Sequence, residues 1–351
     1  MKLSTVDLML KLIAHKPVTA DVARVNAATG ELRNYLEANG VYTVTETMDG
    51  REILYAATKK TKKPRVLLNA HVDVVPAEDA VFNIREENGW LVGRGVHDDL
   101  GNLSVIANLL VTLNGKADIG AVFSSDEETG GATTKVMVER GYGAKELVLV
   151  LDSEGYAVAV AQKGIIKARL IAHGTACHGA YPWRGDNAID KLVDGYVKIR
   201  TLFPPVAPPY EWRDTMAATI VSAGTVVNRV PEIAEMSLNI RFTRPGDDAR
   251  ILRQLAELSG LEVRGDVDCQ PLSFSEETPA LKKLSDFMAS TFNREIRIVR
   301  MNGATDARHF AALNVPIAMI GIPGEEAHGT AERMEIAGLH AYEKMLAEFL
   351  G

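Results

Sequence analysis

The chain has 351 residues, of which 46% are hydrophobic, and this combination predicts a globular protein long enough to form two domains. Lys and Arg total 39 against 46 Asp and Glu, giving a net charge of -7 without a long basic run, so nucleic acid is not an expected partner. Two cysteines provide no disulfide framework and no apolar stretch is long enough to span a bilayer, so we expect a cytoplasmic protein without a membrane partner.

The chain opens with apolar residues at helical spacing, which predict an amphipathic helix. Four short apolar runs then end in polar clusters, a pattern typical of an α/β sheet covered by helices. The runs are RVLLNA at 65–70, IGAVFSS at 119–125, ELVLVL at 146–151 and VPIAMIGI at 315–322. The residues that follow them include His71 and Asp73, then Asp126, Glu127 and Glu128, then Asp152 and Glu154, and finally His328. Because ligands bind beyond the carboxyl ends of strands in such sheets, the four ends are predicted to share one site.

The pattern changes between about residues 165 and 274, where alternating apolar residues predict strands around one helical segment. The alternating segments are IIKARLIAHG, TIVSAGTV and AEMSLNIRF, and the helical segment is DNAIDKLVDGYVKIRTLF. We therefore predict an inserted α+β domain at 165–274, which interrupts a catalytic domain formed by 1–164 and 275–351.

His71 and Asp73 form an H-x-D motif at a strand end. In an extended segment these two side chains project to the same face, so the carboxylate can orient the imidazole while its other nitrogen meets a metal. The loop GRGVHDDLGN at 93–102 then places Asp98 and Asp99 at a glycine turn before a helix, which favours a carboxylate ligand.

The stretch SSDEETGG at 124–131 crowds three carboxylates after a strand. Like charges at this spacing repel unless positive charge lies between them, and one or two divalent ions would supply it. Neighbouring residues leaving a strand point in different directions, so Glu128 can ligate a cation while Glu127 reaches a water molecule. Asp126 is then left to hold the turn.

Taken in order, H-x-D, GRGxxDD, DEExG, LDSEG and EEAHGTAE span residues 71 to 332. This series resembles the zinc-dependent family of acetylornithine deacetylase, succinyl-diaminopimelate desuccinylase, aminoacylase, carnosinase and carboxypeptidase G. The resemblance implies a mixed-sheet catalytic domain of the zinc-peptidase type with helices on both faces. It also implies that the insert is a dimerisation or lid domain and that the protein is a homodimer.

The resemblance further implies two zinc ions, which Co2+ or Mn2+ could replace. The metal ligands it implies are Asp98 as the bridge, His71 and Asp152 at one ion, and Glu128 and His328 at the other. Glu127 would be the general base and Asp73 the partner of His71, and a cis peptide bond is expected after Asp98. Glu154 and Glu332 remain alternative or supporting residues, with Asp152 preferred to Glu154 because the D-x-E-G pattern matches aminoacylase-like members.

Matches continue in the insert. GTACHGAYPWRGDNAI at 174–189 resembles the family pattern GxxxHxxxPxxGxNAI, which makes His178 the residue that reaches the active site of a dimer partner and stabilises an oxyanion. NRVPEIAEMSLNIRF at 228–242 likewise assigns Asn228 to the oxyanion and Arg241 to a substrate carboxylate. GATDAR at 303–308 resembles a glycine-rich substrate loop, which adds Gly303 and Thr305.

The expected reaction is metal-dependent hydrolysis of an amide bond in a small N-acyl amino acid or a short peptide. Within that class a deacetylase or desuccinylase competes with a dipeptidase, aminopeptidase or carboxypeptidase. The alternative from another class is an inactive dimeric metal-binding protein. Leu100 stands where relatives commonly have lysine, and GATDAR lacks the usual second glycine, so the sequence leaves the substrate open.

Overall fold

The structure is a computed structural model that describes residues 2–209 and 211–351. The chain divides into two compact units. Unit 1 contains the residues up to Val160 together with Phe274–Val299 and Thr305–Gly351. Unit 2 contains Ala161–Ser273 and Arg300–Ala304.

The secondary structure alternates between strands and helices along most of the chain. The helices are α1 Thr5–Ile13, α2 Val22–Ala38, α3 Leu100–Thr112, α4 Ala132–Glu139, α5 Ala188–Ile199, α6 Asp248–Ser259, α7 Pro279–Phe292, α8 Ala307–Phe310 and α9 Ile336–Leu350. The strands up to the middle of the chain are β1 Tyr42–Met48, β2 Arg51–Ala57, β3 Val66–His71, β4 Arg85–Glu87, β5 Trp90–Val92, β6 Ile119–Ser124, β7 Leu147–Gly155, β8 Ala157–Gln162, β9 Gly164–His173 and β10 Cys177–His178. The later strands are β11 Thr215–Ala223, β12 Arg229–Val230, β13 Ile233–Phe242, β14 Glu262–Cys269, β15 Leu272–Ser273, β16 Arg297–Met301, β17 Ile317–Gly321, β18 Gly324–Glu325 and β19 Arg333–Glu335.

Unit 1 is built on a mixed sheet with the strand order β1-β2-β6-β3-β7-β17-β8. The central strands β6, β3, β7 and β17 run parallel to one another, whereas β1 and β2 at one end and β8 at the other pair antiparallel. Every residue of β3, β6 and β17 is buried, as expected for parallel strands that are covered on both faces. Helices supply the cover, with α3 packed against β3 and α4 against β6.

The first two helices of unit 1 begin where the sequence offers a capping side chain. The Ser4 hydroxyl accepts a hydrogen bond from the Asp7 amide at the start of α1, at 3.0 Å. Asp21 does the same for the Arg24 amide at the start of α2, at 3.2 Å. Each cap satisfies an amide that has no partner inside its own helix, which fixes the first turn.

Unit 2 contains a sheet with the strand order β11-β13-β9-β14, in which every pairing is antiparallel. Helix α5 packs against β9 and β13, and α6 packs against β14. The core between them includes Leu170, Leu192, Leu238, Phe242 and Leu255, all of which are buried. Unit 2 therefore has its own hydrophobic core and the α+β composition predicted for the insert.

The secondary-structure predictions are confirmed at the elements on which the site depends. The four apolar runs form β3, β6, β7 and β17, and the three alternating segments of the insert form β9, β11 and β13. The amphipathic amino-terminal pattern forms α1. Among the residues that the structure describes, no helix combines the length and apolar character needed to cross a membrane.

Alanine substitutions at two helical glycines are expected to change the free energy of unfolding in opposite directions. A Cβ on Gly101 in α3 would overlap the Val96 carbonyl oxygen and lie 2.6 Å from Ile322 Cδ1, whereas a Cβ on Gly30 in α2 meets only Arg33 Nη2 at 3.6 Å. We predict that Gly101→Ala lowers the free energy of unfolding by about 1–3 kcal/mol through overpacking. Gly30→Ala, the matched control, should raise it by about 0.5–1 kcal/mol because alanine favours helix.

Urea unfolding followed by circular dichroism measures both variants against the parent chain. A Gly101→Ala chain as stable as the parent would contradict the close packing of α3 on the loop that precedes it.

Candidate metal centre

Side chains from several strand ends of unit 1 converge at one edge of its sheet. His71 is the last residue of β3, Glu127 and Glu128 lie in a 3-10 turn after β6, and Asp152 lies near the end of β7. Because β3 runs parallel to both β6 and β7, these ends share an edge of the sheet. The structure thus brings together residues that are distant in sequence.

Asp98 contacts two histidines at once. Its Oδ1 lies 2.9 Å from Nε2 of His71, and its Oδ2 lies 3.1 Å from Nε2 of His328. Nε2 of His328 also lies 3.0 Å from Oε2 of Glu128. Each oxygen of the Asp98 carboxylate therefore faces a different imidazole, so each oxygen could bind a different cation.

Two groups of potential ligand atoms overlap at His71. His71, Asp98 and Glu128 form one group, and His71, Glu127 and Asp152 form the other; in each group the atoms lie within 4.8 Å of one another. The second group contains Glu127, the residue expected to act as a base, beside the expected ligand Asp152. Geometry alone therefore allows either acid near His71 to approach a cation.

The electrostatics show how closely charge is packed here. Burial, reinforced by the charge of Asp98, raises the pKa of Asp152 to about 7. Burial and the charge of Asp152 raise the pKa of Glu127 well above its ordinary value. Burial opposes ionisation of Asp98, but hydrogen bonds from His328 and His71 outweigh it and lower the Asp98 pKa.

Hydrogen bonds to Asp98 and Glu128 raise the pKa of His328 to about 10. A protonated imidazole thus supplies positive charge to these carboxylates, and a divalent cation would supply it to the same oxygens. Oε1 of Glu128 is buried and has no hydrogen-bond partner among the residues that the structure describes, so it has a lone pair available for a cation. A mixed set of imidazole and carboxylate donors suits zinc, and these residues therefore fit the expected metal.

Asp73 supports the centre through both its main chain and its side chain. Its carbonyl oxygen lies 2.8 Å from Nδ1 of His71, whereas its Oδ1 lies 3.6 Å from the same nitrogen. The carboxylate instead accepts hydrogen bonds from the amides of Glu127 at 3.1 Å and Glu128 at 3.4 Å, and from the Thr19 hydroxyl at 2.8 Å. Asp73 thus orients the imidazole mainly through its carbonyl and fixes the turn that carries the two glutamates.

Asp126 holds the same turn from its other side. Its Oδ1 accepts hydrogen bonds from the Thr133 amide, at 3.0 Å, and from the Thr133 hydroxyl. This is the turn-holding role that the sequence suggested for Asp126, and it joins the turn to the first residues of α4.

Asp99, which the sequence placed beside Asp98 at the glycine turn without giving it a separate role, is a supporting residue. The peptide bond between Asp98 and Asp99 is cis, as the family resemblance implies. The Asp99 carboxylate is buried and accepts hydrogen bonds from the His71 amide at 3.0 Å and from Nδ2 of Asn102 at 2.8 Å. Asp99 therefore ties the end of β3 to the start of α3. Its position beside Asp98 is the one signal in the sequence that could have identified it.

The segment after Gly303 also reaches the centre. Nη2 of Arg308 lies 3.6 Å from Oε1 of Glu127, and the Arg308 side chain is buried. Asp306 accepts hydrogen bonds from the hydroxyls of Ser124 and Thr134, both at 2.6 Å. These contacts link residues that are separated by up to 182 positions, so sequence spacing could not reveal them.

The two alternative acids lie in different surroundings. Glu154 is exposed and pairs with Arg297 at 2.7 Å, so Asp152, and not Glu154, lies in the cluster. Glu332 is fully buried, and its Oε1 accepts hydrogen bonds from the amides of His97 at 3.0 Å and Asp98 at 3.1 Å. Glu332 thus contacts the main chain next to the proposed ligands.

The other residues predicted for the site divide between the units. In unit 2, His178 in β10 pairs with Arg229 of β12, and the Gly179 amide donates to the Asn228 carbonyl at 2.7 Å, so His178 and Asn228 are close neighbours. Arg241 lies in β13 of the same unit. Gly303 belongs to the 300–304 segment of unit 2, whereas Thr305 is a buried residue of unit 1.

A cluster of histidines and carboxylates beyond the parallel strand ends of a mixed α/β sheet can hold metal ions that catalyse hydrolysis. A sequence model described as Peptidase family M20/M25/M40 matches residues 67–351. The chain belongs to this family, and it is accordingly a metal-dependent hydrolase.

Individual relatives differ in the activities that their names state. The chain is 23% identical to a succinyl-diaminopimelate desuccinylase of Wolinella succinogenes in an alignment of 370 residues that covers 100% of both chains. Its fold matches a tripeptidase of Staphylococcus aureus with a TM-score of 0.84 at 16% identity, covering 99% of this chain and 96% of that one. It also matches a dinuclear metal-binding peptidase of the M20 family from Bacillus subtilis, with a TM-score of 0.73, 14% identity and coverage of 99% and 96%.

Proposed function

We propose that the protein hydrolyses the amide bond of a small N-acyl amino acid, as a deacetylase or desuccinylase, with the help of two divalent ions. The observation that carries the metal-dependent part is the Asp98 carboxylate, whose two oxygens face His71 and His328 at 2.9 and 3.1 Å. The desuccinylase that matches over the full length of the chain supports the choice of substrate class.

In this proposal the ions are zinc, and Co2+ or Mn2+ can replace them. The ligands are Asp98 as the bridge, His71 and Asp152 at one ion, and Glu128 and His328 at the other. When bound, two such ions polarise an amide carbonyl and lower the pKa of a water molecule. The dinuclear peptidase of Bacillus subtilis supports the number of ions.

Glu127 moves the proton. As water attacks the carbonyl carbon, a carboxylate oxygen of Glu127 takes one of its protons, and the same group delivers that proton to the amine nitrogen as the C–N bond breaks. The Asp73 carboxylate, which accepts the Glu127 amide hydrogen bond, holds this residue in place. Arg308, 3.6 Å from Glu127, favours its ionised form before the water attacks.

His178 is proposed to donate a hydrogen bond to the oxyanion. Its Nδ1 accepts a hydrogen bond from the Ala180 amide at 3.1 Å, so the neutral ring carries its proton on Nε2 and can donate it. Asn228, a close neighbour, would assist at the oxyanion, and Arg241 would bind a carboxylate of the substrate. Gly303 and Thr305 would line the substrate loop.

We also propose that the protein is a homodimer assembled through unit 2. Strand β11 lies at the edge of the described sheet and exposes Ile220 and Val221, each at 66%. Helix α5 exposes Ile189, Val193 and Val197, which are spaced four residues apart on one face. An unpaired strand edge and an exposed apolar helix stripe are both features that suit a self-complementary interface. The low cysteine content keeps the cytoplasm as the predicted location.

A peptidase of the same family is the second candidate, which the fold match to a tripeptidase favours. Comparing N-acetyl and N-succinyl amino acids with dipeptides and tripeptides on the zinc-loaded enzyme separates the two. We expect kcat/KM to be at least about tenfold higher on an N-acyl amino acid. Preference for peptides would replace the deacylase with a peptidase, and retention of zinc without turnover of any amide would indicate an inactive metal-binding protein.

The adjacent glutamates should respond differently to substitution. Glu127→Ala should retain two zinc ions per chain and lower kcat by roughly 10²–10⁴-fold, because only the proton carrier is lost. Glu128→Ala should lower kcat as well, but it should in addition lose one of the two zinc ions. Glu139→Ala, an exposed acid in α4, is the control and should change neither quantity. Elemental analysis and steady-state kinetics measure the two effects. Equal zinc loss in the first two variants would contradict the different roles assigned to Glu127 and Glu128.

Complementation tests whether His178 acts on the partner subunit. In a mixture of His178→Ala and Glu127→Ala chains, each heterodimer has one site with an intact base and an intact histidine. Random exchange should therefore restore about a quarter of wild-type activity, since half of the dimers are mixed and half of their sites are complete. No gain in subunits that are shown to exchange would contradict this role, as would an active monomer.

A further inference from the structure

A buried ion pair outside the proposed ligand set connects two segments of the metal centre. Arg94 Nη1 lies 2.6 Å from Oε2 of Glu332, and the side chains are 3% and 0% exposed. Arg94 precedes Asp98 by four residues, and Glu332 follows His328 by four. The pair spans 238 positions of sequence and lies wholly within unit 1.

Both partners also contact the main chain of the opposite segment. Arg94 donates a second hydrogen bond from Nη2 to the carbonyl of His328, at 2.9 Å. Glu332 accepts hydrogen bonds at Oε1 from the amides of His97 and Asp98, at 3.0 and 3.1 Å. Arg94 thus holds the backbone of His328, and Glu332 holds the backbone of Asp98. Each charged group therefore contacts a proposed metal ligand on the other segment.

This arrangement matters because His328 lies outside regular secondary structure. Its φ is +66°, in a turn between β18 and β19, so helix or strand hydrogen bonds do not fix its position. Asp98 likewise lies in the loop before α3. The separation between the two residues therefore depends on contacts between loops, and the Arg94–Glu332 pair supplies such contacts.

Stability alone is a weak reason for a buried pair. Removing two charges from water is costly, and apolar residues of similar volume often serve stability as well. The planar guanidinium, however, can contact Glu332 and the His328 carbonyl simultaneously in one fixed geometry, which an apolar side chain cannot do. Directional contacts of this kind are suited to orienting metal ligands.

We propose that Arg94 and Glu332 are positioning residues that set the distance between Asp98 and His328. Because His328 binds only one of the two proposed ions, a change in this distance would weaken the ion held by Asp98, Glu128 and His328 more than the ion at Asp152, which Asp98 also binds. This inference rests on the metal centre proposed above, and it adds a reason for the arginine in the GRG loop, to which the mechanism assigns no role.

The test measures zinc and not turnover. Zinc-loaded full-length protein is dialysed against graded concentrations of a chelator, and zinc per chain is determined for Glu332→Gln and Arg94→Lys. We expect each variant to retain one ion as the wild type does and to release the other at about 10–100-fold lower chelator concentration. Lysine keeps the charge but cannot make both contacts, so its effect should be the smaller one.

Glu46→Gln is the matched control. Glu46 is likewise paired with an arginine, Arg140, at 2.7 Å and accepts a hydrogen bond from Tyr142 at 2.9 Å, but it lies on β1. Its zinc release should equal that of the wild type. If Glu332→Gln yields no folded protein, Arg94→Lys carries the test, because it keeps the buried positive charge.

Combined variants identify the affected ion. Adding Glu332→Gln to Glu128→Ala should cost no further zinc, because both act on the same ion, whereas adding it to Asp152→Ala should lower the chelator concentration at which the one remaining ion is released. Wild-type zinc release by both single variants, equal weakening of both ions, or further loss in the Glu128→Ala background would each overturn the inference. A wild-type protein that binds no zinc would instead refute the metal centre itself.

Discussion

The Asp98 carboxylate is held between two imidazoles, and beside it lie Glu127, Glu128 and Asp152. Two like charges about 4 Å apart repel by roughly 4 kcal/mol at an effective dielectric constant near 20. Several such pairs together would approach the 5–15 kcal/mol that stabilises a typical domain. Protonation relieves part of this repulsion, because burial raises the pKa values of Glu127 and Asp152, and the imidazoles of His71 and His328 supply positive charge to the oxygens of Asp98.

Three further acids hold the backbone of the charged residues in place through hydrogen bonds. The carboxylate of Asp73 accepts the amides of Glu127 and Glu128, and Asp99 accepts the amide of His71. Asp126 binds Thr133 and so joins the turn to α4. These acids stay off the proposed ligand set but determine its geometry. A substitution among them would change metal binding through the backbone, although no proposed ligand would be altered.

The sequence predicted the strands well because β3, β6, β7 and β17 are continuous apolar runs with ligand-type residues at their ends. It also predicted that Asp126 holds the turn, in agreement with its hydrogen bonds to Thr133, whereas the separate roles of Glu127 and Glu128 stay predictions. It could not predict contacts between distant segments, such as Arg94 with Glu332 or Arg308 with Glu127. Nor could periodicity show that the Asp73 carbonyl, and not its carboxylate, makes the shorter contact with His71. The cis peptide at Asp98 was accessible only through the family resemblance.

The two departures from the family pattern have different consequences. Leu100, at the position of the usual lysine, is fully buried in the core of unit 1, so its side chain contributes to packing and adds no charge to the cluster. GATDAR, in contrast, lies where the chain passes from unit 2 at Ala304 to unit 1 at Thr305, and it ends at Arg308 beside Glu127. A change in this segment can alter the surroundings of Glu127, the proposed proton carrier, without altering a proposed metal ligand. The proposed reaction type therefore depends on the strand ends of unit 1, whereas the substrate-binding roles of Gly303, Thr305 and Arg241 stay predictions.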